Sequence, residues 1–216
     1  MAFFRKEADR LTKEVESMLS MSEQLLLAYR NGVQAYLEVD RERFESQVLQ
    51  NDQLYQKLSE VNRTLINDLY LRPMASEVNS QIADLIGRVY SLGQSAHECL
   101  QLFYAESPMI PEELKNSFIK INELSSLAGD ASIPASRAFF LDIRAVKDKL
   151  NKINFYVLDC EQQSLRLKYK IFHDFPDLKL SQKIHLRYFA LHIEKIAKSS
   201  GEIASFLNLI SLKLLG

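Results

Sequence analysis

The side chains with the widest chemical range in this 216-residue chain are four histidines and two cysteines. His185 and His192 stand seven apart. On a helix that puts them two turns apart on one face, too far to share a metal ion. His97-Glu98-Cys99 is contiguous, so its members point in different directions around a helix. H-E-x-x-H is absent, and satisfied surface or half-buried histidines are expected. Cys99 and Cys160 lie far apart without metal-ligand spacing and are read as buried free thiols in a reducing compartment. There is no G-x-S-x-G elbow and no phosphate loop ending in Gly-Lys-Ser/Thr; Gly93-Gln94-Ser95 falls inside a helical pattern. No residue offers itself as a base or nucleophile, so no enzyme activity is expected.

Composition narrows the field further. A net charge of −1 and the lack of a strongly basic region disfavour nucleic-acid binding by counterion release. The start, Met1-Ala2-Phe3-Phe4-Arg5-Lys6, has no apolar core of signal-peptide length. No run of about 18 apolar residues exists, so no membrane span is expected. The last stretch, IASFLNLISLKLLG, is read as a buried final helix.

Six Gly, five Pro and no Trp leave few turn formers, which implies few, long elements and an all-α fold. Apolar residues recur every three or four positions along most of the chain. Leu11, Val15, Met18, Leu25, Tyr29, Val33 and Tyr36 mark a first helix over about 5–39, with Ser22 in its seam. Asp40 is the expected N-cap of a second helix, although Arg43 sits where a capping box wants Glu. Leu54, Leu58, Val61, Leu65 and Leu69, then Val78, Ile82, Leu85, Val89, Leu92, Ala96 and Leu100, form a long hairpin broken at Leu71-Arg72-Pro73. Ser76-Glu77 gives the third helix a capped start.

The two prolines of Ser107-Pro108-Met109-Ile110-Pro111 mark the mid-chain boundary. A fourth helix is expected over 111–128, ended by Gly129 to Pro134. A fifth is expected over 135–172, with Phe139, Ile143, Val146, Leu150, Ile153, Val157, Leu165 and Ile171 on its stripe. A sixth follows the break at His173-Asp174-Phe175-Pro176-Asp177. The halves match in plan, which suggests two tandem three-helix bundles, 1–106 and 107–216, forming one elongated unit.

Asp52-x-Leu54, Leu71-Arg72-Pro73-Met74 and Ile86-Gly87-Arg88-Val89 resemble PhoU-like proteins, six-helix regulators of bacterial phosphate uptake. The branch that accompanies Pit-type phosphate transporters is the nearer likeness, through length, Phe3-Phe4 and Ile193-Glu194-Lys195-Ile196-Ala197. The resemblance implies E-x-x-x-D pairs on facing helices that hold iron, zinc or another cation. One turn's spacing puts such a pair on one face. This chain departs from that pattern. Asp52, Asp159 and Glu194 survive, whereas Val48, Gly87, Ser91, Gln163 and Lys198 stand where further acids belong. The metal clusters are therefore read as lost and no cofactor is expected; Glu161 and Glu202 are the alternative, as shifted ligands.

Arg88 fits the family's basic position. Arg166, Lys168, Lys170, Lys179, Lys183, Arg187, Lys195 and Lys198 gather around the second hairpin with acids between them, mostly as a solvated face. Arg88, Arg187, Lys195 and Lys198 are the candidates for contact with an acidic transporter loop or the anionic inner membrane surface. The resemblance implies a cytoplasmic, non-catalytic regulator of a phosphate transporter, with a helical adaptor for another protein as the alternative. Exposed stripes also allow a homodimer.

Overall fold

The computed structural model describes residues 2–71 and 76–215, and the side chains of 11–71 and 79–213. These residues form six long α-helices: α1 Ala2–Leu37, α2 Arg41–Leu71, α3 Ser76–Glu106, α4 Glu112–Leu141, α5 Val146–His173 and α6 Leu180–Leu215. A 3-10 turn, Ile143–Ala145, precedes α5. There is no strand among the described residues. Arg72, Pro73 and Met74, where the first hairpin is expected to turn, lie outside the described residues. So do the side chains of Phe3, Phe4, Ser76, Glu77 and Val78.

The seam of α1 points inward as its spacing predicts, from Leu11 through Val33, and Ser22 satisfies its buried hydroxyl by donating to Met18 O at 3.0 Å. α1 packs on α2, α3 and α4, while α6 packs on α3, α4 and α5. One continuous apolar core runs through all six helices. Among the described residues α2 touches only α1 and α3. α5 touches α4, α6 and the 3-10 turn. The two therefore flank an inner group of four helices from opposite sides. Two glycines let α1 approach its neighbours: a Cβ on Gly32 would lie 2.6 Å from Leu100 Cδ1, and one on Gly129 would lie 3.0 Å from Leu26 Cδ2.

Polar groups cross between the halves at the same seam. The fully buried Tyr29 on α1 pairs its hydroxyl with Ser125 Oγ of α4 at 3.3 Å. Asn122 Nδ2 donates to Arg30 O at 3.1 Å. At the surface Arg137 of α4 grips Glu16 and Glu23 of α1. Tyrosine hydroxyls usually sit at the rim of a core, whereas that of Tyr29 is sealed inside, with a serine on the facing helix in place of water.

The expected break at Gly129–Pro134 is not where the chain turns. α4 continues through both residues to Leu141. An interior proline costs a helix about 3 kcal/mol through a lost hydrogen bond and a clash. Here burial outweighs it: Ala128, Gly129, Ser132, Ile133, Ala135, Ser136 and Ala138 are all buried. Small side chains admit the neighbouring helices closely, and Ser132 and Ser136 donate to Gly129 O and Ser132 O. The turn comes at Asp142, which is extended and accepts from Arg144 N at 3.1 Å. Phe139 consequently belongs to α4, and Leu165 is exposed rather than core.

The link from α1 to α2 is closed by backbone geometry. Val39 N–H donates to Tyr36 O at 3.1 Å and Asp40 N–H to Ala35 O at 2.9 Å. This is the Schellman arrangement, which wants glycine in the left-handed position. Val39 holds it instead, at φ 62°. Asp40 then caps α2 through Arg43 N at 3.1 Å, as its sequence position predicts. A β-branched residue with positive φ is strained by roughly 1–2 kcal/mol. Val39 is 75% exposed, so its side chain contributes little burial in return. Val39→Gly is expected to stabilise the protein by about 1 kcal/mol, read as a higher urea midpoint at unchanged slope; an unchanged or lower midpoint contradicts the strain.

Candidate functional site

The three surviving acids occupy three different settings. Asp52 is half-buried on α2 and accepts from Gln56 Nε2 at 2.9 Å, one turn along its own helix. Asp159 on α5 likewise accepts from Gln163 Nε2 at 3.3 Å. Glu194, on α6, is buried. Its carboxylate accepts from Ser164 Oγ at 2.5 Å and is paired with two ammonium groups: Lys168 Nζ of α5 at 2.7 Å and Lys198 Nζ, one turn along α6, at 2.5 Å.

Helix spacing explains the cluster. Ser164 and Lys168 are one turn apart on α5, as are Glu194 and Lys198 on α6, so the four side chains meet across the second hairpin. Burial pushes the Glu194 carboxyl up, but the bonds from Lys168, Lys198 and Ser164 outweigh it and hold the group below the usual carboxylate range. Its hydrogen bond with Glu194 raises Lys198 in turn.

This donor set does not suit a hard cation. Two positive charges already sit where a metal on Glu194 would have to be, and like charge at that range is strongly repulsive in a buried site. Gly87, standing where an acid is expected, faces open space on α3. Among the described residues no three His, Cys, Asp or Glu side chains converge. Glu161 and Glu202 do not repair the set: Glu161 adds to the negative field around Cys160 and Lys198, and Glu202 lines a surface groove.

The first hairpin holds a neutral counterpart. Asn51 lies in the buried stripe of α2, donates to Leu25 O at 3.3 Å and leaves Oδ1 to accept from His97 Nδ1 at 2.9 Å. Burial lowers the His97 pKa against the opposing pull of Asp52 and Glu98, so the ring is neutral near pH 7 with its proton on Nδ1. Tyr55 stacks on that ring, centroids 4.1 Å apart, and its hydroxyl meets Tyr90 at 2.9 Å. Burial first and the Tyr90 bond second push Tyr55 up to about 12. The sequence offered one signal for this network, a polar residue in an apolar register at Asn51; nothing local marks Ser164 or Lys168 as partners of Glu194.

Cys99 and Cys160 are free and buried, and burial raises both thiols, Cys160 to about 12. His185 pairs with Glu106 at 2.8 Å and His192 packs edge-on against Tyr188. Of the interaction candidates, Lys195 is tied to Glu98 at 3.0 Å and Lys198 to Glu194. Arg187 is exposed. Arg88 lies 4.9 Å from the Phe206 ring and shares with Lys198 a shallow groove of about 580 Å³ between α3, α5 and α6.

A larger groove of about 930 Å³ opens at the C-terminal end of α3, between the α1–α2 link and the 107–111 connector. Tyr36, Phe44 and Tyr104 form its wall, and Tyr36 donates to Pro108 O at 2.8 Å. Val39 and Ser107, the two non-glycine residues with positive φ among the described residues, both line it.

Replacing both lysines, Lys168→Met with Lys198→Met, strands a buried carboxylate. A loss of about 3–5 kcal/mol is expected at neutral pH, most of it from Lys168 because Lys198 is half exposed. In the native protein the Glu194 carboxyl is depressed, so its pairing stabilises the fold above the unfolded pKa of about 4.3 and is lost as pH falls through the folded value. In the variant burial is opposed only by the Ser164 bond, and the deficit should shrink on acidification. Urea unfolding at about pH 7 and about pH 5 checks this, and an equal deficit at both contradicts the assignment.

No family model matches the chain and no curated protein resembles it in sequence. Solved structures do resemble it in fold. A PhoU-like phosphate regulatory protein from Shewanella oneidensis MR-1 superposes with a TM-score of 0.80 at 13% identity, over 92% of this chain and 97% of that one. A PhoU-like protein from the same organism gives 0.81 at 12% identity, over 94% and 99%. At that identity the likeness is one of architecture: this chain has the six-helix fold of PhoU-like proteins.

Proposed function

We propose that the protein is a non-catalytic regulator or accessory factor of inorganic phosphate transport, working from the cytoplasmic side against a transporter of the Pit type. The observation that carries this reading is the match of fold over more than nine-tenths of both chains to a PhoU-like phosphate regulatory protein. Residues 1–106 and 107–216 act in it as two copies of a three-helix unit. No described helix is long and apolar enough to cross a membrane, which agrees with a contact made from outside the bilayer.

Glu194 gives the reading its mechanism. Two lysines supply the positive charge that the resemblance assigns to metal, so the second hairpin is held shut without a bound ion. Regulation is then by docking, with Arg187 and Arg88 as the two of the four candidate cations that are not paired with a carboxylate among the described residues. The strained aromatic groove beside Val39 favours a second reading, a helical adaptor for an unrelated protein.

Arg187→Glu is expected to cut co-purification with a phosphate permease about tenfold at low salt, with the melting curve unchanged, because rim charges act mainly on association. Deleting the gene is expected to alter phosphate uptake. Unchanged uptake, together with capture of a different partner, would overturn the transport reading and leave the adaptor.

A further inference from the structure

The two flanking helices occupy equivalent places, yet their outer faces differ. On α2 the face opposite the core runs through Leu49, Gln53, Gln56, Glu60 and Arg63, all exposed and polar but for one. On α5 the corresponding face runs through Phe155, Leu158, Gln162, Leu165 and Tyr169. The four apolar members are 63%, 59%, 67% and 61% exposed. Core residues of α5 fall at Leu150, Ile153, Cys160, Ser164, Leu167 and Ile171. Each outer position lies two residues from an inner one, about 200° around the helix. α5 is therefore apolar on two opposite sides, and only one side is covered.

The outer spacing is 3-4-3-4, the a/d seam of a coiled coil with one polar residue, Gln162, in the register. Charges border the seam as they do in coiled coils: Asp159 and Arg166 on one flank, Glu161 and Lys168 on the other. Lys168 is committed to Glu194. Arg166 is exposed and makes no ion pair or hydrogen bond among the described residues. Antiparallel pairing of two copies brings Arg166 to Asp159, and parallel pairing brings it to Glu161. In both, the dyad forms the pair twice.

We infer that the outer face of α5 is a homodimer interface, with two copies of this chain packing seam to seam through Phe155, Leu158, Leu165 and Tyr169. Each of these side chains leaves roughly 100 Å² open. Eight of them bury about 800 Å², and the flanking Asp159, Gln162 and Arg166 bring the total near the lower bound of about 1,200 Å² for a specific interface. Association in the micromolar range follows. The inference stands independently of the transport reading.

Sedimentation equilibrium of the full chain across micromolar concentrations tests it. The native protein should shift from monomer to dimer. Leu158→Glu with Leu165→Glu, on exposed positions, should weaken association about a hundredfold or more and leave the helical circular dichroism intact. Arg166→Glu should weaken it less, and Asp159→Arg with Glu161→Arg added to that variant should restore it. A native chain that stays monomeric throughout overturns the proposal even if a variant misfolds. So does a dimer that survives the double glutamate variant, or a different protein found to occupy this face while the native chain alone remains monomeric.

Discussion

Close contact of α1 with α3 and α4 is the constraint on which the molecule rests. Gly32 and Gly129 have no side chain where Leu100 and Leu26 must pass, and that missing volume lets α1 sit at the centre. Once α1 is placed, the Tyr29 hydroxyl reaches Ser125 and the Asn122 amide nitrogen reaches the α1 backbone, so these two groups sealed between the halves find partners. An unpaired hydroxyl or amide there would cost about 1–3 kcal/mol, enough to make the docking of the two halves selective. α2 and α5 are left outside, each with one face on the core and one face free.

Placement decides electrostatics as well. Glu194 is buried because α6 belongs to the inner group, and a buried carboxylate requires compensation. Ser164 and Lys168 on α5 and Lys198 on α6 provide it. The arrangement fills with ammonium groups the position that the PhoU-like resemblance gives to metal. It also orders the second hairpin through side chains alone. In the first hairpin, Asn51, His97, Tyr55 and Tyr90 link α2 and α3 without formal charge. The two hairpins thus reach similar shapes through different chemistry, one ionic and one neutral.

The proposed function places the protein's work on its surfaces. The aromatic groove by Val39, the shallow cationic groove by Arg88 and the uncovered seam of α5 are three separate surfaces. They have three different characters: apolar and strained, charged, and apolar with a heptad rhythm. On the proposed reading, contact with a transporter and contact with a second copy use different surfaces, so each can form without displacing the other.

Much of the fold was legible in the residues. Spacing of three and four marked α1, the α2–α3 hairpin and much of α5, Asp40 marked a cap, and Pro108 with Pro111 marked the midpoint, because these signals act within a few residues of chain. The same local logic misplaced the turn before α5. Gly129 and Pro134 are breakers in an isolated helix, yet packing against α1 carried α4 through them and left the turn to Asp142. Leu165 failed for a related reason: apolar residues on both sides of α5 give two valid stripes, and periodicity alone cannot say which faces inward. The chain by itself determined how many rods there are, which acids remain and that Asp40 caps α2, since composition and near neighbours fix those. Only the assembled structure decided that Glu194 is gripped by Lys168 and Lys198, that Tyr29 is sealed against Ser125, and that one face of α5 stays bare. Those facts depend on which helices meet, and that is set by burial shared among residues far apart in sequence.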